Sequence, residues 1–222
     1  MGTPGKEAET VSETTAPQAA HDGNIACLTR KNCAQLFFVY AGMHGMIEGM
    51  GPMTFLQKSG ISDRNIAFVR DPHACFFDKG VSDAIPTLDA LIDWHHGHIA
   101  ANPHVTEVYC VGNSFGGWAA LLFGYILAVK KVWALAPGGE WGRKLLVDLM
   151  DDANGVTEYD LHYSHQEPED QRFAESLRNY PGIRLIRQEA HGHLMISGLL
   201  QSGALAQLFP PFRPAADPRD GS

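Results

Sequence analysis

The segment Gly112-Asn113-Ser114-Phe115-Gly116 concentrates the most chemistry in this sequence. It follows an apolar run over 107–111 and precedes a stretch rich in alanine and leucine, which reads as strand, sharp turn, helix. A serine in such a G-x-S-x-G turn is pushed into a strained backbone conformation, and its hydroxyl projects above the sheet. Side chains at 112 and 116 would meet the neighbouring strand and helix, so glycine fits both positions. The chemistry implied is nucleophilic attack on a carbonyl carbon. A free serine hydroxyl is a poor nucleophile and needs a neighbouring base, itself oriented by an acid. The blander alternative is a glycine-rich turn whose serine caps a helix. A phosphate-binding loop is disfavoured, because neither G-K-[ST] nor G-x-G-x-x-G is present.

The elements that must hold this turn are legible as short apolar runs alternating with helical patterns. Strands are expected over 25–28, 36–41, 65–69, 107–111, 131–135, 156–163 and 183–187. Helices are expected over 81–101, 115–128, 140–151, 169–179 and 194–209. LFFVYA and VYCV are nearly continuous in apolar residues, as strands covered on both faces are. Ser82 is a candidate cap for the helix carrying Ile85, Leu88, Leu91 and Ile92, and Pro181-Gly182 closes another. Strand–helix alternation predicts an α/β domain with a mostly parallel sheet, whose chemistry sits at the carboxyl ends of the strands.

GNSFGGWAALLFG resembles the nucleophile elbow and following helix of the α/β-hydrolase superfamily, and the resemblance extends over about 36–209. It implies a serine hydrolase with an acid and then a histidine following the nucleophile. After the last strand, IRLIRQEA, come His191, Gly192 and His193. The family's Gly-His pair before the last helix points to His193 as base, with His191 as the competitor. After VTEYDLHY, the segment SHQEPEDQRFAESL offers Glu167, Glu169 and Asp170. Asp170 best matches the family's acid, and the others serve as helix N-terminal charges. The oxyanion hole implied uses two backbone amides, those of Phe115 and of Met43 in the loop Gly42-Met43-His44-Gly45-Met46. The family often has His-Gly before that second donor, where this chain has Ala41-Gly42. The stretch IAFVRDPHACFFDKGVSDAIPTLDALI, taken with the elbow, is similar to a bacterial branch of the superfamily associated with glycan-assembly and natural-product genes.

Composition narrows the substrate and setting. The 222 residues are 45% hydrophobic and 19% charged, ordinary for a globular chain. Lys plus Arg number 17 against 25 Asp plus Glu, a formal net charge of -8, so nucleic acid and anionic membranes are unexpected partners. No run is long and apolar enough for a membrane span, and the start lacks signal-peptide character, which predicts a cytoplasmic protein. No Cys-x-x-Cys pair occurs, Cys110 reads as a core residue, and no structural disulfide is expected. Residues 1–22 and 210–222 read as disordered tails around one domain over 23–209. His95 and His98, three apart, read as a solvated helix face and no metal site. Asp71, before Pro72, reads as a turn anchor, and Phe76, Phe77, Trp118 and Trp141 as candidate pocket walls.

These readings combine into a small α/β-hydrolase-like domain without a large cap. Its expected activity is cleavage of an ester or thioester through an acyl-serine intermediate, with no metal or cofactor. An open site suits small-molecule, carrier-bound, glycan or peptide acyl substrates. Acyl transfer or cyclisation through the same intermediate, and a non-catalytic binding role, are the alternatives.

Overall fold

A computed structural model describes residues 18–20, 23–138, 146, 155–189 and 192–216. His191, Trp141 and, apart from the helical and buried Leu146, the helix expected over 140–151 lie outside the described residues. The strands are β1 (Gln18–Ala20), β2 (Ile25–Leu28), β3 (Gln35–Tyr40), β4 (Asn65–Val69), β5 (Glu107–Asn113), β6 (Lys131–Leu135), β7 (Glu158–Ser164) and β8 (Ile183–Gln188). They form one sheet in the order β1-β2-β4-β3-β5-β6-β7-β8. The β1–β2 and β2–β4 pairs are antiparallel and every other pair is parallel.

The central strand β3 shows why an unbroken apolar run folds this way. Leu36, Phe38 and Tyr40 face one side, among residues from α2 (Leu88–Ala100) and α3 (Phe115–Ile126). Phe37 and Val39 face the other, among residues from α1 (Pro52–Ser59) and the helix Met195–Gln201. Both faces are covered, so alternation between apolar and polar positions disappears. Among the described residues, further helices are α4 (Pro168–Ser176), packed beside β7, and α5, the Met195–Gln201 helix just named. The mostly parallel sheet flanked by helices is the architecture expected from the strand–helix alternation, and no cap domain interrupts the described residues.

Several local expectations are corrected. Helix α2 starts only at Leu88, and Thr87 Oγ1, not Ser82, accepts the capping hydrogen bond, from Ala90 N at 3.1 Å. Ser82 instead accepts from Ile85 N within a tight bridge before Pro86. The last helix ends at Gln201, and Leu205–Gln207 is a separate 3-10 turn. Both tail boundaries are also crossed. Gln18–Ala20 pairs with β2 at the sheet edge. Residues past 209 dock under the sheet, with Ala34 N donating to Arg213 O at 3.0 Å and Arg213 Nη1 donating to Glu107 Oε1 at 2.5 Å. Arg64 lies over the Phe212 ring at 4.9 Å, and the Pro-rich composition had hidden these anchors.

His95 is not solvated. It is fully buried, its Nδ1 donates to Leu91 O at 2.6 Å, and its Nε2 accepts from the Tyr40 hydroxyl at 2.9 Å. Burial pushes its imidazole down to about 3, and burial pushes that of His162 in β7 down to about 4. Both are therefore neutral in the folded chain across the ordinary range. The unfolded chain takes up a proton on each below about pH 6.5, so it binds more protons than the folded one. Stability must fall as pH drops from 6.5 towards 4, by about 1.4 kcal/mol per pH unit for each histidine. Urea unfolding at pH 7 and pH 5 checks this. His95→Leu should flatten the dependence, even if it destabilises the chain at pH 7 by stranding the Tyr40 hydroxyl.

Candidate active site

Ser114 sits between β5 and α3 with φ 54 and ψ -122, outside the regions an L-residue prefers. Its amide is held by Leu135 O at 2.8 Å, and the sheet and helix on either side enforce the turn. A Cβ at Gly112 would lie 1.9 Å from Gly116 O, and one at Gly116 would lie 2.2 Å from Tyr40 O. The two glycines let β3, β5 and α3 approach closely enough to raise the serine above the strand ends.

The other predicted residues arrive from neighbouring strand ends. His193 follows β8 and Asp170 lies in the first turn of α4, after β7. Ser114 Oγ is 2.8 Å from His193 Nε2, and His193 Nδ1 is 2.9 Å from Asp170 Oδ2. With Asp170 a carboxylate, Nδ1 carries the proton and Nε2 accepts from the serine hydroxyl. The Asp170 side chain is 3% exposed, against 42% for His193, so the acid is enclosed and the ring opens to solvent. The hydrogen bond that His193 Nδ1 donates to Asp170 raises the His193 imidazole above its ordinary value. Burial works against that, and the charges of Asp170, Glu167 and Glu48 add to it.

Of the three candidate acids, the structure brings only Asp170 to the histidine. Glu169 is exposed, and Glu167 precedes α4 at its N-cap and acts on His193 only through its charge. A Cβ at Gly138, in the loop after β6, would sit 1.8 Å from Asp170 Oδ1, so a glycine that no sequence motif singles out keeps the acid in place.

The register of β3 on β5 sets Tyr40 beside Gly112, so the chain leaving β3 runs abreast of the elbow. Met43 opens a 3-10 turn there, and Phe115 opens α3. First-turn amides have no acceptor within their own helix. The packing of Gly42 against Asn113 O, 3.2 Å from a built Cβ, keeps the two turns adjacent. Met43 and Met46, in the loop after β3, and Leu194, next to His193, carry exposed apolar side chains. Phe76 rests on Phe115 with ring centroids 4.6 Å apart. Asp71 holds that loop by accepting from the amides of His73, Cys75 and Phe77, as a turn anchor should.

No protein-family model matches this sequence, and no curated protein matches it. Solved structures do. Est1E from Butyrivibrio proteoclasticus is 13% identical, with 87% of this chain and 97% of that chain covered at a TM-score of 0.55. The Staphylococcus aureus fluorophosphonate-binding serine hydrolase FphF is 9% identical, with 87% and 98% covered at 0.57. An alpha-beta serine hydrolase homologue from Coxiella burnetii is 13% identical, with 91% and 100% covered at 0.57. At such identities the likeness is one of fold, and it spans nearly the whole of each neighbour.

Proposed function

We propose that this chain, whose fold is that of the α/β-hydrolases, is a serine hydrolase that cleaves an ester or thioester through an acyl-serine intermediate. The observation that carries the reading is the hydrogen-bonded row Ser114–His193–Asp170, with contacts of 2.8 and 2.9 Å, built on a strained turn. His193 Nε2 takes the hydroxyl proton as Ser114 Oγ attacks the carbonyl carbon. Asp170 stabilises the imidazolium and fixes its tautomer. The amides of Phe115 and Met43 receive the oxyanion. The tetrahedral intermediate collapses, and His193 gives its proton to the departing alcohol or thiol. Water then enters and attacks the acyl carbon as it loses a proton to His193; the second tetrahedral intermediate expels Ser114 Oγ, which takes that proton back from His193, and the acid leaves. The chemistry needs no metal or cofactor. A ring 42% exposed supports access by water, and so hydrolysis over transfer. The exposed Met43 side chain and the Phe76–Phe115 contact suit an apolar acyl group.

A fluorophosphonate probe should add once to the intact chain, with the adduct mapping to the peptide that carries Ser114. p-Nitrophenyl butyrate should be hydrolysed with a burst equal to the labelled fraction. A chain that neither labels nor turns over this ester would overturn the reading.

A further inference from the structure

The loop between β3 and α1 carries more than an oxyanion donor. Past Met43 it closes a two-residue hairpin, in which Ile47 and Met50 exchange backbone hydrogen bonds at 3.0 and 3.1 Å. Glu48 and Gly49 sit at its tip with φ 46 and 73, the positive values that a type I′ turn demands. Glycine meets that demand freely, whereas glutamate is strained there. Ile47, 1% exposed, pins the hairpin into the core, so the direction of the Glu48 side chain is fixed.

That side chain crosses to the other end of the sequence. Its Oε1 accepts from Ile196 N at 2.6 Å, and its Oε2 accepts from Ser197 N at 2.8 Å and Ser197 Oγ at 2.9 Å. Ile196 and Ser197 are the second and third residues of α5, whose N-cap is Leu194. These are the two amides that an N-cap serine or aspartate ordinarily satisfies. Leu194 has no acceptor to offer, and a carboxylate 148 residues away in sequence does its work. The position also places negative charge at a helix N-terminus, where it is favoured. Glu48 Oε1 further lies 3.5 Å from Asn113 Nδ2, next to the nucleophile. One carboxylate thus joins the Met43 loop, the residue before Ser114 and the helix that follows His193.

We propose that Glu48 is a positioning residue that locks the Met43 loop and the His193 turn into one register, so that oxyanion donor and base face Ser114 together. A helix cap alone could come from a polar residue at 194 without a strained glutamate, but it would leave the two loops unconnected. The proposal rests on the serine-hydrolase reading for its consequence in turnover, though the linkage itself can be measured without turnover. The charged groups facing His193 are Asp170 and Glu167 from the start of α4, and Glu48 from this loop. Removing the Glu48 charge therefore moves the His193 titration downward.

The test is Glu48→Gln and Glu48→Ala in the full chain. With p-nitrophenyl butyrate, Glu48→Ala should lower kcat roughly tenfold to hundredfold at little change in KM, as a misplaced base and donor do. Glu48→Gln should retain more activity, because its amide oxygen still accepts from an α5 amide. Two readouts need no catalysis. The NMR titration of His193 should shift down in both variants, and amide exchange at Ile196 and Ser197 should quicken. Unchanged kcat and His193 titration alongside a lower Tm would reduce Glu48 to a structural cap and overturn the proposal. If the wild-type chain fails to label with fluorophosphonate, the hydrolase reading falls, while the titration and exchange still decide whether Glu48 joins the two loops. Should Glu48→Ala not fold, the Glu48→Gln data carry the decision.

Discussion

Replacing Ser114 with alanine should remove turnover, with kcat falling about 10⁶-fold, and the fluorophosphonate adduct should disappear. In the proposed mechanism the hydroxyl is the attacking atom. On that reading, what survives is carbonyl polarisation by the proposed amide donors of Phe115 and Met43, which helps water only weakly. The fold should survive as well. Alanine keeps the backbone at φ 54 and ψ -122 with the strain serine already bears, and the hydroxyl's hydrogen bond is to a half-exposed ring that water can satisfy instead. Unfolding free energy should therefore change by no more than about 0.5 kcal/mol. Ser114→Gly sharpens the point. Glycine takes up this conformation without strain, so that variant should be equally inactive yet more stable by about 1 kcal/mol. A Gly variant less stable than wild type would mean that the elbow stores no strain. Undiminished labelling of Ser114→Ala would mean that the nucleophile lies elsewhere.

The site was legible in the sequence to the extent that local rules determine it. The elbow is a local object, since Gly112, Ser114 and Gly116 within five residues encode a turn that only one backbone path satisfies. Strands β3 to β6 were legible because burial on both faces leaves nearly continuous apolar runs. Choosing Asp170 over Glu167 and Glu169 was a different problem. Three carboxylates crowd one helix start, and at about 100° per residue only one of them points under the sheet edge towards β8. Resemblance favoured Asp170, while the physical reason lies in the Gly138 contact, which joins positions far apart in sequence.

What stayed hidden shares a cause. Helix α1 gives a weak signal because eight residues, Pro52–Ser59, bury only Phe55, Leu56 and Ser59 and show no long periodicity. Its signals were Pro52 at the start and Gly60 in a left-handed cap, and both read equally well as loop. His95 looked solvated among His96 and His98, since polar neighbours mask a buried histidine unless its partners Tyr40 and Leu91 are known. Glu48 gave no sign at all. Its function in the fold depends on α5, and nothing near residue 48 announces a helix 148 residues away.

Loss of the base should match loss of the nucleophile. His193→Ala should lower kcat about 10⁶-fold with little change in KM, because the two groups act as one unit and either deletion disables it. Only the neutral ring can accept the Ser114 proton. Its pKa is raised by the Asp170 hydrogen bond and by the charges of Asp170, Glu167 and Glu48, so wild-type kcat/KM should fall with decreasing pH at an inflection above the ordinary histidine value of about 6.5. Asp170→Asn tests the same linkage from the other side. It removes the acceptor that fixes the tautomer, so activity should drop about 10⁴-fold and the inflection should move down. Glu169→Gln, on an exposed side chain, should do neither. His191→Ala separates the neighbouring ring from the base, and we expect a loss of at most about tenfold through loop packing. A dead His191→Ala beside an active His193→Ala would place the wrong ring against Ser114, and the pairing with Asp170 would fall with it, because the 2.8 and 2.9 Å contacts belong to a single imidazole.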